Sequence, residues 1–416
     1  RRIKRHAVER EVAHHEAHQS RLYEGRADAR KDRGVEVRAI AAGQRVVLDD
    51  RDRRVGAADD ALARQGGGDF RDEAVDPDEW GVVMGVKNAA LTVKAGFTTV
   101  REAGSAQNTA FVLRRGTAEG KIVGPRIVAA GPALSIVGGH GDVTGFRKDV
   151  LAALDTGYTC TGPVECAEKV RKASRLGADV IKITATGGVL SQQGRGLEAH
   201  FTDAEMKSIA DTAHSLGLKV MAHAHGARGI EAAAAAGIDT IDHGTFADEA
   251  ALKVMKAKGT VLVPTLMALE GVRARIGKGI YTPTVEVKAR QALEAAGRQV
   301  TRAKAMGVTV AFGTDAGVFE HGSNGGEFAL LVKAGLTPTE ALASATTIAA
   351  KTLGMEGLQQ LVDRANESAS ESSAARDIAP PDITLRLSAG QTCELLGTPG
   401  LRLCAQRRTG GAERPH

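Results

Sequence analysis

The chain has 416 residues, of which 43% are hydrophobic and only 3% aromatic, and it carries a formal net charge of +5. That length allows two or three domains or one large barrel with additions, on a core of Ala, Val, Ile and Leu. The basic residues are not gathered into one patch or a basic helix, which argues against nucleic acid. No apolar stretch reaches the roughly 20 residues of a bilayer span, and the Arg-rich start lacks the apolar run of a secretion signal. The expectation is therefore a cytoplasmic protein with no membrane partner. Cys160, Cys166, Cys393 and Cys404 show no paired C-x-x-C spacing, so neither a zinc ribbon nor a disulfide framework is expected.

In chain order, residues 1–77 hold 15 Arg and 2 Lys, and residues 357–416 hold 7 Arg and no Lys. Neither flank keeps a sustained helical or strand period, whereas residues 78–356 do. The expected organisation is an anomalous flank over 1–77, a barrel over 78–356 and an anomalous or disordered flank over 357–416, the two flanks together forming a degraded small β-sandwich. Arg-rich, Lys-poor text at both ends would arise from GC-rich DNA read out of frame, and the nucleotide sequence upstream of Glu79 tests this. The segment ESASESSAARDIAPP reads as a solvated linker.

From Glu79 the elements alternate. GVVMGVKNAALTVKAG is helical and runs into FTTVREAG, a strand; NTAFVLRRGTAEG and PRIVAAG repeat the pair. After a Gly-rich loop come VECAEKVRKASRLG with ADVIKITATGG, TDAEMKSIADTAHSLG with LKVMAHAHG, GARGIEAAAAAG with IDTIDHG, and DEAALKVMKAKG with TVLVPT. A long helical stretch over 284–305 precedes VTVAFGTDAG. Short repeated crossovers of this kind make a parallel sheet, either doubly wound or closed as a (β/α)8 TIM-like barrel. Polar residues at the ends of several separate strands favour the barrel, because an open sheet gathers them at one switch point. Only seven strands are counted from FTTV onward, so the first is expected to be missing or incomplete in the flank before Glu79.

Four polar residues close apolar runs: Lys182, His223, His243 and Asp315. Burying them unpaired would cost several kcal/mol, and a divalent metal is the simplest binder of all four. The imidazoles suit zinc. Alternation across HAHG sends one side chain inward and the next outward, or the loop bends both His223 and His225 toward the mouth. His140, in SIVGGHGD, and His321, in EHGSNGGE, follow strands and are candidates to contact substrate. Arg228 could pair with a substrate carboxylate, against the reading of a solvated first-turn arginine. The His-x-His pair that normally begins such a metal site, on the first strand, is expected nowhere in the chain.

HGD at 140–142, KITATGG at 182–188, HAHG at 223–226, DHGT at 242–245 and GTDAG at 313–317 together resemble the amidohydrolase superfamily. The similarity is greatest to its Xaa-Pro and Xaa-Arg/Lys dipeptidase-like branch, near imidazolonepropionases and ochratoxin-hydrolysing enzymes, and covers about residues 79–356. The resemblance implies a carboxylated Lys182 bridging one or two zinc ions, His223 and His243 as ligands, and Asp315 as ligand and proton carrier. It implies hydrolysis of an amide C–N bond by metal-bound hydroxide, with His140, His225, Arg228 and His321 around a small-molecule or dipeptide substrate. A homo-oligomer is compatible with it. Loss of the first-strand pair leaves a second reading, a metal-binding barrel that is catalytically impaired. A mononuclear deaminase-type barrel is a third reading, and it too would need the missing pair.

Overall fold

The computed structural model describes residues 54–59, 78–105, 108–142, 144, 147–191 and 196–355, together with three strands between 385 and 406. The chain divides into two compact units, one of residues 50–379 and one joining 1–49 with 380–416. In the smaller unit β10 (Leu385–Leu387), β11 (Gln391–Leu396) and β12 (Leu403–Gln406) form an antiparallel sheet in that order. The C-terminal flank was expected to carry no alternating strands. Its runs are only three to six residues long, too short for a period to stand out. Apart from residues 54–59, the rest of both flanks lies outside the described residues.

The larger unit opens on β1 (Arg54–Asp59), which pairs in parallel with β2 (Phe97–Glu102) through an irregular register. The strand position expected to be missing is thus filled, by RVGAAD. Helix α1 (Asp78–Lys94) lies between the two strands in sequence. β2 pairs with β3 (Arg126–Ala129) after α2 (Thr109–Ala118). A short parallel pair, β4 (Ser135–Ile136) and β5 (Thr159–Cys160), flanks α3 (Lys148–Ala153). Then α4 (Pro163–Leu176), β6 (Val180–Thr184), α5 (Asp203–Ser215), β7 (Lys219–Ala224), α6 (Ala227–Ala236), β8 (Thr240–His243), α7 (Glu249–Lys258) and β9 (Val261–Val263) follow in strict alternation.

β6, β7, β8 and β9 form one parallel sheet in sequence order. The β3 end is stitched to β6 by Asp179 N–H to Ala129 O at 2.8 Å and by Leu134 N–H to Lys182 O at 2.8 Å. Beyond β9, Val310 bridges Leu262 in parallel. Eight strand positions therefore succeed one another in sequence order: β1, β2, β3, β6, β7, β8, β9 and the segment around Val310. The remaining helices are α8 (Leu266–Arg273), α9 (Pro283–Ala295), α10 (Arg298–Met306), α11 (Gly326–Lys333), α12 (Pro338–Ala345) and α13 (Thr347–Thr352).

Local chemistry sets the repeats. Thr202 and Glu205 form a reciprocal capping box at the start of α5. Gly177 and Gly237, both left-handed, end α4 and α6, and each next strand starts within a few residues. Ile181, Ile183, Val220, Ala222, Ile241 and Leu262 are buried on the helix-facing side of the strands. On the inner side a smaller layer of Ala130, Val180 and Met221 packs with Val128.

One expectation is corrected here. Cys160 at the end of β5 and Cys166 in the first turn of α4 form a disulfide, with Cα atoms 5.1 Å apart. The six-residue spacing carries no motif; it is the turn from strand to helix that brings the two sulfurs together.

Candidate metal centre

Register decides which side chains meet. Thr184 lies opposite His223, His223 opposite Asp242, and Lys182 opposite Met221. Paired residues share a face, so Lys182, His223 and Asp242 all point to the inner side. His223 and His225 are two residues apart and share that face, so the expectation that alternation separates neighbours in HAHG does not apply to them.

His243 is out of phase with Asp242 and would point outward in a regular strand. Its φ of 69° turns it back. Thr265 (φ 48°) and Asp315 (φ 54°) share this left-handed conformation, and together these are the non-glycine residues of positive φ among those described. Each stands just after a strand position, where the sheet gives way to loops. Backbone strain gathered in this way marks sites whose side-chain directions are fixed by the surroundings.

The result is a group of three imidazoles, His223, His225 and His243, whose ligand atoms lie within 4.8 Å of one another. Centroids of the His225 and His243 rings are 4.8 Å apart and nearly parallel; His223 meets both edge-on at 4.7 Å. Burial pushes all three down from the ordinary imidazole range, His225 to about 3, and the Lys182 ammonium adds to it. They are neutral, the form in which imidazole binds metal.

The hydrogen bonds fix the tautomers. Nε2 of His223 faces the Gly187 carbonyl at 3.2 Å, so it must be the donor and the Nδ1 lone pair is left facing Nε2 of His243 at 3.0 Å. Nδ1 of His243 meets Thr265 Oγ1 at 2.6 Å, and Nδ1 of His225 meets Thr245 Oγ1 at 2.8 Å. Each of these two rings thus has a hydroxyl at Nδ1, as outer-shell partners of histidine ligands do; Nε2 of His243 donates its proton to His223 Nδ1, and that proton must move to Nδ1 for the ring to act as a ligand.

Lys182 is otherwise engaged. Its Nζ is paired with Asp242 Oδ2, whose other oxygen takes Nη2 of Arg101 at 3.1 Å, while Nη1 of Arg101 donates to Thr240 Oγ1 at 3.0 Å. Arg101 is 2% exposed and Asp242 0%, so this cluster links β2, β6 and β8 inside the sheet.

The other candidates divide. The ring of His140 lies 4.2 Å from that of His223, and its Nδ1 is held by Ser191 Oγ. Gly188 passes so close that a Cβ there would meet the His140 ring at 2.2 Å, a position only glycine can fill. Asp315 is half-buried, and its carboxylate is not part of the imidazole group. His321 is buried with Nδ1 3.2 Å from Thr92 Oγ1 of α1, which takes it to that helix, whereas it was expected at the mouth. Arg228 is exposed, and its Nη2 donates to both oxygens of Asp203 at 2.8 Å.

Several residues escape sequence reasoning. Lys288 of α9 is buried and donates to the carbonyls of Gly188 (2.8 Å) and Ser191 (2.6 Å), tying that helix to the loop that holds His140; burial lowers its ammonium to about 8. Glu102, at the end of β2, accepts from the amides of Gly104, Ala130 and Gly131, and burial raises its carboxyl to about 7. A lysine on an amphipathic helix gives no signal, but the charged pair in FTTVRE and the second Asp of IDTID are polar residues in apolar strands and could have been weighed.

The amidohydrolase family profile matches residues 58–358. Ochratoxinase of Aspergillus niger is 34% identical over 278 residues, which are 62% of this chain and 56% of that protein. An uncharacterized protein of Mycobacterium tuberculosis is 34% identical over 198 residues, 47% of this chain and 52% of its own. The chain thus spans about half the length of the curated relatives it matches. Among solved structures, a Xaa-Pro dipeptidase with methionine bound in its active site superposes with a TM-score of 0.68 at 35% identity, over 73% of this chain and 76% of that one. The A. niger ochratoxinase structure superposes at 0.62 with 28% identity, over 72% and 71%. Strand order and these superpositions agree on an α/β fold of the (β/α)8 barrel class, and the chain belongs to the amidohydrolase family.

Proposed function

We propose that the protein is a metal-dependent hydrolase of amide or peptide C–N bonds, dipeptidase-like in substrate size. The observation that carries this is the trio of neutral, buried imidazoles at the ends of β7 and β8 in a chain of the amidohydrolase family. Three nitrogen donors suit a divalent ion such as zinc, with a position left for substrate or water. When bound, such an ion polarises the scissile carbonyl and acidifies a water molecule. His223 and His243 are its ligands, and the family resemblance adds Lys182 and Asp315. The Asp315 carboxylate takes the proton of the attacking water and returns it to the departing amine nitrogen. His140, fixed by Ser191, contacts the substrate next to His223, and Lys288 keeps that loop in place. The named relatives, a Xaa-Pro dipeptidase and an ochratoxinase, support an amide-bearing small molecule as substrate. The chain works without nucleic acid or membrane, as a homo-oligomer if it associates.

The domain reading is carried as part of the proposal: a barrel over 78–356 that performs the chemistry, joined by β1 (Arg54–Asp59) from the N-terminal flank, between flanks whose remaining text is of other origin. Cytoplasmic residence belongs with it; the reducing thiol pool there sets whether Cys160 and Cys166 stay joined, and labelling of free thiols in fresh lysate is the check. Turnover of a dipeptide panel that includes Xaa-Pro, by chelator-treated protein before and after zinc is restored, tests the function. Zinc-dependent release of the C-terminal amino acid is expected. A second reading, an impaired barrel that binds metal without turnover, is favoured by the absence of histidine from RVGAAD in β1; zinc uptake with no release from any dipeptide would establish it.

A further inference from the structure

The geometry points to a single-ion centre made of imidazoles alone, His223, His225 and His243, with Lys182 withdrawn from it into an ion pair with Asp242. The inference rests on the metal-dependent reading above but replaces the bridging lysine by His225.

His223-Ala224-His225 is itself a His-x-His pair. It stands at the end of β7, with His225 one residue past the strand, not on the first strand, and the two-residue period puts both rings on the inner face. His243, turned inward by its φ of 69°, completes three donors. With a metal–nitrogen distance of about 2.0–2.1 Å, a tetrahedral ion spreads its nitrogens to roughly 3.3–3.4 Å. The 3.0 Å between His243 Nε2 and His223 Nδ1 needs only a small opening to reach that. Binding also requires His243 to carry its proton on Nδ1, and Thr265 Oγ1, 2.6 Å behind it, is there to accept it. Thr245 serves Nδ1 of His225 in the same way.

Lys182 lacks this arrangement. A carbamate forms from a neutral amine and carries negative charge. Nζ of Lys182 is paired with Asp242 Oδ2, and the other oxygen of that carboxylate anchors buried Arg101, so a carbamate would first have to break this pair. A second ion would also need donors from β1, and RVGAAD offers no histidine.

The test is Co2+ titration of the full chain after chelation, read by elemental analysis and visible absorption, with 13C-bicarbonate present for NMR. One ion per chain, a four-coordinate Co2+ spectrum and no carbamate carbonyl resonance are expected. Lys182→Arg keeps the charge beside Asp242 but cannot form a carbamate, and it should keep the ion and the spectrum. His225→Ala should lose at least about 100-fold in Co2+ affinity, beyond what removing an outer-shell partner costs. Two ions per chain, a carbamate resonance in the wild type, or loss of the ion in Lys182→Arg with retention in His225→Ala would overturn the inference. The wild-type stoichiometry and NMR stand even if a variant fails to fold. Dipeptide turnover separates the two readings: one ion on three imidazoles without turnover sinks the hydrolase, whereas turnover with two ions and a carbamate sinks this centre.

Discussion

The two sides of the barrel sheet differ in order and in chemistry. β6 to β9 run in unbroken parallel register and carry Lys182, His223, His225 and His243. β1 and β2 pair with two register shifts, and β1 brings no histidine. The clustered imidazoles thus come from the regular side alone. Besides the backbone hydrogen bonds from the β3 end to β6, a buried ion pair joins the sides: Arg101 reaches from β2 to Asp242 on β8. The largest effect should come from cutting that link. Asp242→Asn leaves two buried cations without their counter-ion and should cost about 3–5 kcal/mol of unfolding free energy, measured by urea melts of the metal-free protein. A loss below about 1 kcal/mol would mean that the two sides hold together without it.

Acid and base should act on the two sides with opposite sign. The imidazoles of β7 and β8 are lowered in the folded state, His225 to about 3 against 6.5, so the unfolded chain binds more protons between those values. The contribution of His225 is full above pH 6.5 and is lost as pH falls toward 3, and His223 and His243 act in the same direction. Glu102 on β2 is raised to about 7 from 4.5, so the folded chain binds more protons in that interval, and its contribution is lost as pH rises from 4.5 to 7. Amide hydrogen exchange at pH 5 and pH 7.5 should show β7 and β8 better protected at the higher value and the β2–β3 edge at the lower. The same sign on both sides would show that the unit titrates as one.

Two smaller effects sharpen the picture. Thr245→Val removes the hydroxyl behind Nδ1 of His225 at nearly constant volume and should lower Co2+ affinity about 10–100-fold, as outer-shell losses do. No change would say that His225 is not a ligand. Replacing Cys160 and Cys166 together by alanine opens a loop of a few residues and should cost about 2 kcal/mol by the chain-entropy relation, seen as a lower urea midpoint with an unchanged slope.

The strand and helix alternation was legible because each unit repeats the same signs, an amphipathic helix, a Gly stop and an apolar strand. The centre was legible only in part. His223 and His243 stood out as polar ends of apolar runs, but His225 could be ranked with them only by applying the two-residue period, and His243 reaches the group through a backbone φ that no spacing reveals. Asp242 looked like one more polar residue in IDTID. Its worth depends on Arg101 and Lys182, 141 and 60 residues away in sequence, and that closeness is created by the sheet alone. Lys288 was invisible for the same reason: its partners are carbonyls of a loop 97–100 residues earlier.

Arg228 marks the lower end of the scale and tests where the ligand-bearing side stops. It begins α6 just after His225, close enough in sequence to suggest a grip on substrate. Its guanidinium is more than half exposed and is occupied by Asp203 at the start of α5. Exposed pairs of this kind contribute between nothing and about 1 kcal/mol, and the helix keeps its N-terminal turn without it. Arg228→Ala should therefore leave the unfolding midpoint, Co2+ stoichiometry and KM for a dipeptide essentially unchanged. A rise in KM of about 10-fold or more with stability intact would instead show that Arg228 leaves Asp203 for the substrate carboxylate, and would extend the site from the strand ends onto the first turn of α6.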